Sequence, residues 1–141
     1  MTTATGREFA SVAERIDAVE EAYELCLAYA AQGRRGDEGG PGSDLRRLLE
    51  RALAALDGLA DAAAPELATT PERADAARAF LEVVRSDLDK ARSAIRLVLA
   101  QDAIGSQLID NLNASIHLRA LLTDLFLIDE SIKSGPGARA P

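Results

Sequence analysis

The chain of 141 residues has no tryptophan, one cysteine and one histidine, and aromatic residues make up 4% of it. Each shortage removes a class of function. Cys26 has no partner for an intrachain disulfide, and residues 1–7 carry no apolar signal core, so a reducing, cytoplasmic setting is expected. A lone His117 cannot supply the paired Glu-x-x-His motifs of a di-iron carboxylate bundle, and the residue three before it is Ala114. Zincin and zinc-finger spacings need more ligands than one cysteine and one histidine, so no metal and no cofactor is expected. No uninterrupted apolar run is long enough to cross a bilayer, so no membrane partner is expected. A formal net charge of -7 repels phosphate backbones and anionic lipid, so nucleic acid is not expected either.

What is abundant is alanine, about a fifth of the residues, together with leucine, glutamate and arginine, in a chain that is 48% hydrophobic. This is a helical composition. Phe9, Val12, Ile16, Val19, Tyr23, Cys26 and Ala30 alternate in steps of three and four and predict a first helix over about 5–32. Glu8, Glu14, Arg15, Asp17, Glu20, Glu21 and Glu24 fill its polar side. From Ala22 onward Leu25, Leu27, Ala28, Tyr29 and Ala31 surround the seam, so that end is expected to be the more deeply buried. Residues 33–42 hold five glycines and a proline and read as a flexible loop between antiparallel neighbours, with Arg34 and Arg35 answered by Asp37 and Glu38.

Ser43 is a candidate cap for a second helix over 43–63, carrying Leu45, Leu48, Leu49, Ala52, Leu56, Leu59 and Ala63 and ended by Pro65. Thr70, Pro71 and Glu72 mark a helix start, and the seam Ala77, Leu81, Val84, Leu88, Ala91, Ile95 and Val98 carries a third helix over 71–102. The next seam positions are Asp102 and Gly105. A turn is expected there, with Gly105 as a C′ glycine and Ser106 as the next cap, rather than one kinked helix. A fourth helix spans 106–133, and 134–141 reads as a disordered tail. The expected fold is an all-α, antiparallel, up-down-up-down four-helix bundle with long helices in a single domain, 1–133.

The fourth helix is apolar on nearly every side, which a helix with one covered face would not be. Leu112, Ile116, Leu118, Leu121, Leu125, Leu127 and Ile128 are therefore candidate interface residues, and a homodimer or constitutive complex built on this helix is expected. On this reading the protein is non-catalytic and acts through protein contacts, as an assembly, adaptor or regulatory subunit whose partner is itself or another protein.

His117, Asp110, Asn113 and Asp124 fall on one stripe of the fourth helix and are the candidate polar site. A solvated stripe is the expected reading; the alternative is a catalytic or ligand-binding pocket shared with Tyr23 or Tyr29. The surroundings of His117 do not match those of histidine phosphotransfer domains. The stretch Gln101, Asp102, Ala103, Ile104, Gly105, Ser106 and Gln107 resembles the Q-D-L-T-G-Q stretch of the chemotaxis phosphatases, helical hairpins that dephosphorylate response regulators. That resemblance implies a response-regulator phosphatase using Asp102 and Gln107. In register, however, Ser106 stands where the family has glutamine, and Gln107 lies about 100° further round a helix. Arg78, Arg85, Arg92 and Arg96 line one side of the third helix, interleaved with Asp75, Glu82 and Asp89 as expected for intrahelical ion pairs.

Overall fold

The computed structural model describes residues 9–38 and 41–134, the side chains of 41–43 excepted, and is all-α. Its helices among the described residues are α1 (Val12–Ala30), α2 (Pro41–Leu56), α3 (Leu59–Leu67), α4 (Pro71–Leu99), α5 (Ser106–Ala114) and α6 (Ile116–Lys133). No strand occurs among them.

The first helix starts at Val12, where local chemistry overrides the apolar period. Ser11 is its N-cap, the Glu14 amide donates to Ser11 Oγ at 3.1 Å, and Glu14 Oε2 accepts from the Ala10 amide at 2.6 Å. This reciprocal arrangement satisfies amides that a helix start leaves open. Phe9 therefore lies outside the helix yet is buried, with the Arg15 and Arg51 guanidiniums 5.6 and 5.3 Å from its ring centroid. Towards the other end Tyr29 is fully buried, but Leu27 and Ala28 are exposed, so deeper burial of this end holds only in part.

The expected helix 43–63 is two helices. Gly58 adopts φ 77, a left-handed conformation that glycine takes without strain, and it separates α2 from α3. Arg15 supports the break, its Nη1 donating to Ala55 O at 3.0 Å and Asp57 O at 2.7 Å. Those carbonyls lie at the end of α2, where no later helical amide reaches them. Pro65 does not end the helix; it sits exposed inside α3, which runs on to Leu67. Nor is Ser43 a cap, since α2 begins at Pro41.

Helix α4 follows its sequence signals closely. Thr70 Oγ1 accepts from the Arg73 amide at 3.1 Å, Pro71 is the first helical residue, and all seven seam residues from Ala77 to Val98 are buried. A turn does separate α4 from α5. Gly105 there is extended (φ -88, ψ 166), so it is not a left-handed cap; a Cβ on it would lie 3.0 Å from Arg35 O and 3.1 Å from Arg34 O. Its requirement is close backbone approach.

The expected single helix 106–133 is also broken. Ser115 is extended (φ -60, ψ 130), and its hydroxyl accepts from the His117 amide at 3.2 Å to start α6. Helix α1 packs chiefly on α2 and α5, and α4 packs on α6, α3 and α2. A single apolar core joins these contacts, with Ile16, Leu45, Leu59, Ile109 and Leu125 among its fully covered side chains. Of the expected tail, all but Ser134, the C-cap of α6, lies outside the described residues.

Candidate functional site

The break at Ser115 divides the candidate polar stripe. Asp110 and Asn113 belong to α5, while His117 and Asp124 belong to α6. Asp110 and His117 are exposed. Asn113 is half-buried and its Nδ2 donates to Cys26 O at 3.2 Å, a structural bond to α1. Asp124 is turned inward. Tyr29, a possible partner of the stripe, is committed elsewhere, its hydroxyl 2.6 Å from Ile104 O and 3.0 Å from Gly36 O. Gln107 bonds along its own helix to Asn111 Oδ1 at 3.3 Å, and Asp102 gives its backbone carbonyl to Arg46 at 3.3 Å; both residues are exposed.

Asp124 is 6% exposed, and its Oδ2 has no hydrogen-bond donor among the described residues. The Asp87 carboxyl on α4 is its like-charged neighbour. Burial first, then the neighbouring Asp87 carboxyl, push the Asp124 carboxyl up to about 7. Cys26 is also buried, and burial pushes its thiol up to about 12, so it packs in the core as an uncharged thiol. No group of three or more His, Cys, Asp or Glu suited to a metal occurs among the described residues.

The candidate interface residues separate into two sets. Leu112, Leu118, Leu121, Leu125 and Ile128 are buried within the chain's own core, whereas Ile116 is 73% and Leu127 51% exposed. The surplus apolar surface of the C-terminal segment is thus mostly absorbed by α1, α3 and α4, which surround it.

The exposed half of α4 is divided lengthwise. At about 100° per residue, Asp75, Arg78, Glu82, Arg85, Asp89 and Arg96 share one flank, and Ala76, Ala79, Val83, Ser86, Lys90 and Leu97 share the other. The charged flank faces α3: Arg85 pairs with Asp61 of that helix at 2.9 Å, not with Glu82 or Asp89, while Arg78 pairs within the helix with Asp75 at 3.1 Å. The other flank adjoins α6. There an open groove of about 560 Å³ runs between Ala76, Ala77 and Phe80 of α4 and Leu127, Ile128 and Ser131 of α6, lined also by Leu67 and Arg73. No helix is long and apolar enough to cross a membrane among the described residues.

A polar cluster that the sequence pattern does not single out holds one end of the molecule. Asp37 forms an ion pair with Arg46 and accepts from the Ile104 amide at 2.7 Å; Arg46 also donates to Leu99 O at 3.0 Å and Gln101 O at 2.7 Å. The bond from Arg46, outweighing burial, holds the Asp37 carboxyl below the usual range. Ser106 Oγ donates to Tyr29 O at 2.7 Å and accepts from the Arg34 amide at 2.8 Å. Residues 33–38 of the expected flexible loop are therefore tied to the α4/α5 turn, and residues 39–40 lie outside the described set. One signal was available: an acid and a serine at the two glycine-containing breaks, where loop backbone needs side-chain partners.

Comparison of the chain with protein-family models, curated proteins and solved structures gives no match.

Proposed function

We propose that this protein is a non-catalytic helical bundle acting through protein–protein contacts, as an assembly, adaptor or regulatory subunit, and that its first partner is a second copy of itself. The observation that carries the reading is the outer face of α4 and α6. Among the described residues, five of the six large apolar residues that stand exposed, Val83, Leu97, Ile116, Phe126 and Leu127, are on these two helices; the sixth, Leu27, is on α1. Singly scattered apolar residues need no explanation, but a concentration beside an apolar groove marks an interaction surface.

On this reading the fold is an antiparallel four-helix bundle in which α2 with α3, and α5 with α6, each make one interrupted arm. Its support is the order of contacts along α4 and α6: Phe80 shares the groove with Ile128 and Ser131, and further along α4 Asp87 meets the earlier residue Asp124. The second copy is favoured by self-complementarity. Ile116, Ala120, Thr123 and Leu127 recur in steps of four, three and four on the outer side of α6, the spacing of a coiled-coil seam. Paired antiparallel with its own copy, Ile116 faces Leu127 of the partner subunit and Ala120 faces Thr123 of the partner subunit, with small residues at the centre and large ones at both ends. In that register Arg119 comes beside Phe126 of the partner subunit, a cation–π arrangement made twice by symmetry. The chain's net negative charge does not oppose this contact, because the face carries Lys90 and Arg119 against Glu130. The alternative of a catalytic pocket around His117 has no comparable support, since His117 is exposed and Asp124 is turned to α4.

Sedimentation equilibrium at micromolar concentration tests the reading. A dimer is expected for the wild type, and a monomer with unchanged helix content for Ile116→Glu and Leu127→Glu. A wild-type monomer, or dimers that ignore both substitutions, overturns it.

A further inference from the structure

The groove between α4 and α6 has one polar end and an apolar body. Arg73, in the first turn of α4, donates to Ser131 O at 3.4 Å and to Ser134 O at 3.5 Å, which joins that turn to the last turn of α6. Arg73, Glu130, Ser131 and Ser134 line this end, and the walls beyond it are Ala76, Ala77 and Phe80 of α4 with Leu127 and Ile128 of α6. Phe80 is half-buried and Leu127 exposed, so packing within the chain leaves part of the apolar wall uncovered. Both bonds of Arg73 are at the long limit of hydrogen bonding, and a guanidinium carries five N–H donors, so most of its capacity is unused. On the same helix Arg78 and Arg85 are paired with Asp75 and Asp61, whereas Arg73 forms no ion pair among the described residues. Glu130 is exposed and does not pair with it.

We propose that this groove is a binding site for an amphipathic monocarboxylate, an acyl chain of medium length ending in one carboxylate. The head accepts from the Arg73 guanidinium, whose planar fork matches a carboxylate. The Ser131 and Ser134 hydroxyls stand at the same end as further donors. The chain lies along Phe80, Leu127 and Ile128, where it covers apolar wall that the fold leaves in water. Size and charge set the class. A volume of about 560 Å³ is that of a small-molecule pocket, and Phe80 stands seven residues from Arg73, about 10 Å along the helix. Glu130 beside the head disfavours a second negative charge, so a carboxylate fits this end better than a phosphate dianion. All of these groups belong to one protomer. The site therefore goes beyond the self-association proposed above and does not depend on it, although Leu127 belongs to both surfaces.

Methyl NMR of the full chain, titrated at neutral pH with sodium octanoate and separately with octanol, tests the site. Octanoate is expected to shift the Leu127 and Ile128 methyl resonances saturably, with one site per protomer. Arg73→Gln is expected to weaken octanoate about tenfold, the scale of one charge-assisted hydrogen bond, and to leave octanol unchanged. Ala76→Trp, at an exposed position on the groove wall, is expected to fill the groove and abolish both. Arg73→Lys, which keeps the charge and loses the fork, is the second variant should Arg73→Gln lower the helix content. Absence of saturable shifts, equal octanoate affinity in wild type and Arg73→Gln, or binding retained in Ala76→Trp overturns the proposal. Shifts confined to protein diluted into monomers make a second copy the occupant and overturn it as well. The two readings fail separately. A wild type that is monomeric at every concentration and binds octanoate through Arg73 removes the association surface and supports the site.

Discussion

The Tyr29 hydroxyl lies 2.6 Å from the backbone oxygen of Ile104, 75 residues further along the chain, and the Tyr29 side chain is fully buried between them. The Tyr29 hydroxyl is also 3.0 Å from Gly36 O, so one phenol ties the end of α1 to both the loop after it and the α4/α5 turn. Tyr29→Phe keeps the ring and leaves a buried carbonyl without its donor. A loss of about 1–3 kcal/mol is expected, the usual cost of an unsatisfied buried polar group, measured as a fall in unfolding free energy in urea.

Gly105 makes a prediction of a different kind, because its φ is accessible to any residue and only space is short. A methyl group there meets the Arg34 and Arg35 carbonyls, which are backbone atoms and cannot rotate aside. Gly105→Ala is expected to cost about 1–3 kcal/mol, in the range of overpacked sites. A thermal midpoint equal to the wild type would show that the two segments do not approach so closely.

Two carboxylates make stability depend on pH with opposite signs. Asp124, raised from 3.8 to about 7 in the folded state, contributes stability that is complete below pH 3.8 and is lost as pH rises through about 7. Asp37, lowered by Arg46, contributes stability that is present above its unfolded value and is lost as pH falls through its depressed folded value. Urea unfolding from pH 3 to 8.5 should therefore show greatest stability near pH 4, around the unfolded value of both groups, 3.8. Asp124→Asn should remove the decline towards neutrality, and Asp37→Asn should remove the acid limb.

Leu125 and His117 mark the inside and outside of α6. Leu125 is 1% exposed, so Leu125→Asp buries an uncompensated charge at a cost of several kcal/mol. It is expected to unfold the protomer, not merely to separate copies, and a loss of the far-ultraviolet helical signal at 25 °C would record it. His117→Ala, at an exposed position, should change stability by less than about 0.5 kcal/mol. A larger loss would place the imidazole in a contact that its exposure does not suggest.

The seam of α4 was legible residue by residue, because a long uninterrupted helix with a hydroxyl cap and Pro71 leaves no competing pattern. The other helices show where periodicity misleads. Phe9 continues the apolar spacing of α1, yet Ser11 and Glu14 form a cap that starts the helix after it, and that cap was readable in the sequence. The break at Asp57 and Gly58 was readable as well, as a turn dipeptide inside an apolar repeat. The break at Ser115 was not, since serine is compatible with a helix interior and only the displacement of α6 relative to α5 requires the extended conformation there.

Composition and spacing by themselves determined that the chain is helical, which residues of α4 face inward, and that one cysteine and one histidine complete neither an intrachain disulfide nor the common metal motifs. Those properties are local: they depend on residue type and on a period that any helix imposes. Which leucines of the last segment remain outside, that Asp124 meets Asp87, and that Asp37, Arg46 and Tyr29 bind distant loops were decided only by the tertiary structure. Each depends on the position of a second element along the first, and a sequence period repeats identically whichever neighbour comes to cover it.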